Sequence, residues 1–447
     1  MRRTWPALPT VHPRLSCWPG ALVVLLASCL PHSSSGLRRT PAAISGAFLG
    51  PAWGFATRAN GGSVDVASSS ERRSGHCGPA KRGSHTMSAK KAVSALDEIG
   101  KDGTFQRTPA TFQDWVSPNS EKGFTPEAGR YHLYVAYGCP WSQRALLARA
   151  LKGLQPVIGM SCTHPTWQKT RPDDDEDKHW GWAFAKEGNP PLIPNTGHGA
   201  IKCEGCEPEP LYGAKTVRDM YDMANYTGSK FTVPYLWDKK TKTIVNNESS
   251  QLIKIFNSAF NDVEGITNPD LDLDPEDLRP AAAEVDEWVY QEICNAVYRA
   301  GFGRNQEAYD KAVNILFEHL DKLEELLSMR RFIAGDRLTL SDVRALPSLL
   351  RFDEVYHTYF KCNKKSLGRD YPNILGFLRD VWQSHPALPK TTKMDHIKFH
   401  YYTSHIALNS YSIVPAGPSF LALLDEPHDR DRFDAAKEPA SKSARTK

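Results

Sequence analysis

Cys139-Pro140-Trp141-Ser142 puts a single thiol where a strand gives way to a helix. As a thiolate, such a group is a nucleophile and a partner in disulfide exchange. The run before it, Tyr131–Tyr137, is aromatic and β-branched as a strand requires, and Gln143–Gly153 after it holds good helix formers closed by glycine. Pro140 suits the first helical position, where its missing N–H costs nothing, so Cys139 falls at the N-cap. The free N–H groups and positive dipole end of the helix are expected to lower the thiol pKa from about 8.5 into the ~3.5–7.5 range. Ser142 stands where a dithiol site would carry its second cysteine. One thiol cannot close its own disulfide, so a mixed disulfide at Cys139 must be resolved by a thiol from solution.

The elements that would position this thiol follow in order. A second strand is predicted over 155–161, then a polar insertion over about 163–210 and a short helix over 216–223. Phe231–Trp237 and Thr243–Asn246 read as a hairpin around Asp238-Lys239-Lys240. A helix opens at Glu248, with Leu252, Ile253, Ile255 and Phe256 as its apolar face. Strand–helix–strand–helix–strand–strand–helix is the thioredoxin-like order. Beyond about residue 275 the pattern is wholly helical, with one apolar stripe from Val285 to Val297 and another from Val313 to Leu327. Thr339-Leu340-Ser341-Asp342 reads as a capping box, with Leu338 and Val343 as a hydrophobic staple. The charged tail after about 425 is expected to be disordered.

The net charge of +4 hides an asymmetry. Residues 1–90 carry 11 basic and 2 acidic side chains, whereas the rest carries 44 against 49, so the body is mildly acidic. That argues against a nucleic-acid partner. The leader has six arginines and no acid before Asp65, and its apolar run Gly20–Leu30 is too short to span a membrane. Basic residues before that run and a Ser/Ala/Gly/Arg-rich stretch after it read as a signal segment followed by a transit segment. The junction Ala43-Ile44-Ser45-Gly46-Ala47-Phe48 resembles the Ala-Phe motif of bipartite plastid presequences. A plastid is the expected destination, with a mitochondrion or the secretory pathway as alternatives, and no stable membrane insertion of the mature protein is expected. Nine scattered cysteines do not make a disulfide framework.

A series of runs sharpens the reading. Tyr131–Val135, Cys139-Pro140-Trp141, Trp180–Phe184, Thr232-Val233-Pro234, Leu236–Lys240, Thr243–Ser249, Asn295–Tyr298, Arg351–Tyr356 and His400–His405 resemble, in order, the glutathionyl-hydroquinone reductases, the xi class of glutathione transferases. The resemblance covers about residues 103–428. It implies a thioredoxin-like glutathione-binding domain over 91–260, an all-helical domain on the hydroquinone side over 261–425, and a charged tail over 426–447. It also implies a homodimer, with glutathione as co-substrate and a glutathionylated quinol as partner.

By this resemblance Cys139 is the nucleophile, in agreement with its place at a helix N-terminus. Val233-Pro234 is expected to be cis, exposing the Val233 N–H and C=O to an extended peptide; the alternative is a trans proline on an edge strand. Glu248 and Ser249 open a helix where they can grip the γ-glutamyl end of glutathione, or serve merely as its cap. Trp182 and Lys230 are implied beside them as glutathione-binding residues. Tyr298 is implied as a proton donor, and Tyr356 and Tyr401 as phenols that hold the quinol hydroxyls and donate toward the Cys139 sulfur.

The activity expected is reduction of glutathionyl-hydroquinones through a Cys139–glutathione mixed disulfide. The alternatives are an omega-like thiol transferase or dehydroascorbate reductase, and a glutathione-binding regulatory protein without turnover. Cys203-Glu204-Gly205-Cys206, with His198 nearby in sequence, supplies too few ligands for a metal, and no metal is expected. The two thiols are expected to be unrelated. Asp173–Asp177 is expected to be a solvated loop.

Overall fold

The computed structural model describes residues 92–94 and 97–435. The leader read from residues 1–90 and the end of the tail lie outside the described residues.

Strand β1 (Tyr131–Val135) lies inside a four-stranded sheet and is buried along its whole length. Both of its faces are covered, in keeping with Tyr131, Leu133, Tyr134 and Val135, and the buried His132 is bonded to Ser161 Oγ at 2.9 Å. After it come helix α1 (Pro140–Leu151), strands β2 (Gly159–Cys162), β3 (Gln168–Lys169) and β4 (Trp180–Gly181), and helix α2 (Val217–Met223). Strands β5 (Tyr235–Asp238) and β6 (Thr243–Asn246) and helix α3 (Ser249–Ser258) complete this half. The sheet order is β2-β1-β5-β6, with β2 parallel to β1 and β5 antiparallel to it. The buried Arg130 guanidinium donates twice to the Asp238 carboxylate, each at 2.8 Å, and ties the start of β1 to the end of β5.

The strand predicted over 155–161 starts only at Gly159. Residues 154–158 close α1 instead: Leu154 N–H donates to Arg149 O, and the Arg149 guanidinium donates to Ile158 O. Gly153, at φ +67°, makes that turn possible. The polar insertion is folded around the small β3–β4 hairpin, and Asp173–Glu176 are exposed on it.

The second half is helical: α4 (Arg279–Trp288), α5 (Ala296–Phe302), α6 (Gln306–Met329), α7 (Leu340–Leu350), α8 (Leu367–Asp370), α9 (Pro372–Ser384), α10 (Ala387–Thr391), α11 (Met394–Ser404) and α12 (Arg432–Ala435). The stripe predicted from Val285 to Val297 is carried by α4, a π-helical segment Val289–Cys294 and α5. A second π-helical segment, Phe352–Tyr356, follows α7. Such wide turns shift the phase of the side chains beyond them. The capping box is present: Asp342 accepts from Thr339 N–H at 2.7 Å, from its hydroxyl at 2.9 Å and from Ile333 N–H at 2.9 Å.

The tail differs from expectation in its first part. Arg430 is fully buried and donates to the carbonyls of Leu327, at 2.7 Å, and Arg331, at 2.8 Å. The Leu327 carbonyl in the last turn of α6 has no intrahelical donor and the Arg331 carbonyl lies just past the helix, so the arginine satisfies both. None of the described helices is long and apolar enough to cross a membrane.

Candidate active site

Cys139 is the N-cap of α1, with Pro140 in the first turn, as the sequence predicts. It opens onto a cleft of about 660 Å3 lined by both halves of the described chain. Trp182, Lys230, Val233, Pro234, Glu248 and Ser249 line it from the α/β half, and Tyr298 and Tyr401 from the helical half.

The helix N-terminus does not lower the thiol pKa on balance. Burial pushes the Cys139 thiol above its ordinary value, outweighing the opposing pull of the Ser142 N–H and hydroxyl, the Arg351 charge and the Trp141 N–H. The thiol donates to Val233 O at 3.5 Å, an interaction only the protonated form can make. Ser142 is buried as well, its oxygen accepting from Ala136 N–H at 3.2 Å.

The three tyrosines converge as a hydrogen-bonded group. Tyr298 and Tyr401 oxygens are 2.5 Å apart, and Tyr356 and Tyr401 oxygens 3.2 Å. Burial raises the pKa of all three, so they are phenols, hence proton donors, at neutral pH. Both neighbours pull Tyr298 back down, as does Arg107, while the Cys139 charge pushes it up. Tyr356 is fully buried and does not line the cleft, so it reaches the site through Tyr401.

The glutathione-side residues divide. The Val233–Pro234 peptide is cis, as expected. Glu248 is the N-cap of α3, accepting from Ser250 N–H at 3.1 Å and its hydroxyl at 2.9 Å, and Ser249 is the first helical residue. Trp182 is buried and stacks on His400, ring centroids 4.4 Å apart. The Lys230 ammonium is bonded to Glu98 at 2.6 Å, inside a strap of chain that precedes β1.

That strap was not legible as part of the site. It brings Arg107 to the cleft wall, where the guanidinium lies over Trp141 at 4.6 Å and over Tyr298 at 5.2 Å. Arg351, buried after α7, donates to Tyr137 O at 2.8 Å and to Gly138 O at 3.4 Å, clasping the loop that carries Cys139. Its charge is the one feature sequence could have offered: an arginine between Leu349-Leu350 and Phe352. Cys203 and Cys206, read as unrelated thiols, form a disulfide, because the intervening turn with Gly205 at φ +72° brings their Cα atoms to 5.5 Å. His198 lies instead against Tyr411.

A thiol at a helix N-terminus, a backbone edge that a peptide can line and a wall of phenols suit sulfur transfer from a peptide thioether to a thiol. Comparison with known proteins agrees. The glutathione S-transferase N-terminal domain family matches residues 138–259, and its C-terminal domain family matches residues 306–380. The glutathione S-transferase omega-like 2 of Schizosaccharomyces pombe is 41% identical over 327 residues, 72% of this chain and 96% of that protein. Glutathionyl-hydroquinone reductase YqjG of Escherichia coli is 39% identical over 75% of this chain and 94% of its own. The glutathione-bound structure of YqjG superposes with a TM-score of 0.63, covering 72% of this chain and 96% of that one at 38% identity. The glutathione S-transferase xi of Phanerochaete chrysosporium superposes at 0.64 with 40% identity, covering 74% and 97% of the two chains. The chain therefore belongs to the glutathionyl-hydroquinone reductases, the xi class of glutathione transferases, and is a glutathione-dependent oxidoreductase.

Proposed function

We propose that this enzyme reduces glutathionyl-hydroquinones to free hydroquinones at the expense of glutathione. The observation that carries the reading is one thiol sharing a cleft with a hydrogen-bonded group of phenols. The peptide arm of the substrate lies along Val233 and against Glu248-Ser249, with Trp182 beside it. Cys139, once deprotonated, attacks the glutathione sulfur. The sulfur–aryl bond breaks, and the aryl carbon takes a proton from Tyr298. Hydroquinone leaves, and Cys139 holds glutathione as a mixed disulfide. A second glutathione attacks that disulfide and departs as oxidised glutathione, because Ser142 offers no internal thiol.

The phenols favour this reading over thiol transfer alone. Disulfide exchange needs no proton donor to carbon, whereas cleavage of an aryl thioether does. The test is turnover of glutathionyl-menadiol with excess glutathione, following menadiol release. Release that is lost in Cys139→Ala supports the proposal. Absence of release, with retained reduction of dehydroascorbate, would favour an omega-like thiol transferase.

A further inference from the structure

Beside the Tyr137-Gly138 loop, where the Tyr137 ring meets His396 edge-on, three segments bring metal-binding side chains together. Cys162 ends β2, Cys203 and Cys206 lie on the folded insertion, and His396 sits in the first turn of α11. The ligand atoms of Cys162, Cys206 and His396 all lie within 4.8 Å of one another, and all three residues are buried. Cys203 Sγ is 4.0 Å from His396 Nδ1. Four ligands of the zinc-binding type thus converge from 162, 203, 206 and 396. A tetrahedral ion with Zn–S near ~2.3 Å needs sulfur atoms roughly 3.8 Å apart, so the bonded Cys203 and Cys206 must be reduced and move apart to admit it.

We propose that Cys162, Cys203, Cys206 and His396 form a structural zinc site, loaded when the Cys203–Cys206 pair is reduced. The second coordination shell fits a metal. His396 Nε2 lies 2.9 Å from Glu204 O, and a carbonyl can only accept, so Nε2 carries the proton and Nδ1 keeps its lone pair. A zinc-ligating histidine typically donates its other N–H to a backbone carbonyl in this way. Cys162 and Cys206 both point their sulfurs at Thr163 O, at 3.2 and 3.6 Å, so the thiols crowd one small volume.

Loading begins with reduction. Two molecules of a thiol reductant, glutathione included, deliver two electrons and two protons to the Cys203 and Cys206 sulfurs and leave as their own disulfide. Zinc then displaces three thiol protons, leaving three thiolates and a neutral imidazole around the ion. The ion ties the insertion and β2 to α11, the helix that carries His400 and Tyr401 into the cleft. Contact with the catalytic loop is immediate: a Cβ on Gly138 would lie 2.4 Å from His400 Cβ.

The test uses the full chain and a version with Cys17, Cys29 and Cys77 replaced by serine, stripped of metal and reduced with a non-chelating phosphine. Titration with cobalt(II) under argon is expected to saturate at one equivalent. The spectrum should show the intense d–d bands of a tetrahedral ion with thiolate charge-transfer bands, and one equivalent of zinc should erase them. Cys162→Ser and His396→Gln should abolish the spectrum, whereas Cys294→Ser and Cys362→Ser should keep it. Oxidised protein should take up none. No stoichiometric tetrahedral spectrum in the reduced wild-type chain would overturn the proposal, as would unchanged uptake by both ligand variants. If those variants fail to fold, the wild-type spectrum alone decides.

Discussion

The phenol oxygens of Tyr298 and Tyr401 lie 2.5 Å apart, so one proton lies between them and the other must point elsewhere. Tyr356 bonds to Tyr401 from behind and does not face the cleft. With Tyr356 donating to Tyr401 and Tyr401 to Tyr298, the Tyr298 hydroxyl is left to donate into the cleft. The hydrogen bond its oxygen receives from Tyr401, itself polarised by Tyr356, stabilises the phenolate it becomes.

A graded series of substitutions follows from that direction. Tyr298→Phe removes the acid, and kcat for hydroquinone release should fall by ~10²–10⁴. Tyr401→Phe should cost less, and Tyr356→Phe least, because each acts on Tyr298 from one step further away. Equal losses in all three variants would contradict the order.

A buried thiol is a weaker acid, and the consequence for Cys139 has a definite sign. Burial holds the Cys139 pKa above its ordinary value, so less thiolate exists at neutral pH than in an exposed cysteine. The rate of alkylation by iodoacetamide should climb with pH through and beyond about 8.5, the ordinary thiol value. Ser142→Ala should move the midpoint further up, because the Ser142 hydroxyl favours the thiolate. A plateau in the wild-type enzyme already reached near neutrality would refute this.

Local signals were the legible part of the fold. The cap at Cys139, the helix start at Glu248 and the box at Thr339–Asp342 each depend on residues within a few positions of one another, and each is found. Contacts between distant residues were not legible. Arg107 meets Tyr298, Lys230 meets Glu98 and Trp182 meets His400 only because the strap and the insertion fold over the cleft. The net effect on Cys139 is not legible for the same reason: the helix end is read from neighbours, whereas burial is set by distant segments.

Arg351 links the halves through the loop it clasps. Its bonds to Tyr137 O and Gly138 O, with others to Gln143 and Pro347 O, leave four acceptors without a donor in Arg351→Met. Each buried acceptor left unsatisfied costs about 1–3 kcal/mol, so the melting temperature should drop clearly. Cys139 alkylation at fixed pH should also slow, since the arginine charge favours the thiolate. An unchanged melting curve would show that the clasp is not structural.

Lys230 can act on glutathione directly or by holding the strap through Glu98. Glu98 also accepts from Thr108 N–H at 2.7 Å, so the carboxylate organises the strap from within. If the strap is the route, Glu98→Gln and Lys230→Met should raise KM for glutathione alike, and the double variant should add little more. A normal KM in Glu98→Gln beside a raised one in Lys230→Met would assign Lys230 to the ligand itself.

The central claim is that Cys139 attacks sulfur and keeps the glutathione. Enzyme mixed with one equivalent of glutathionyl-menadiol, without added glutathione, should be followed by intact-mass and peptide mass spectrometry. The account predicts one glutathione on Cys139, removable by thiol, with an equal amount of free menadiol. Menadiol bound to Cys139, or an unmodified Cys139 beside released menadiol, would contradict it.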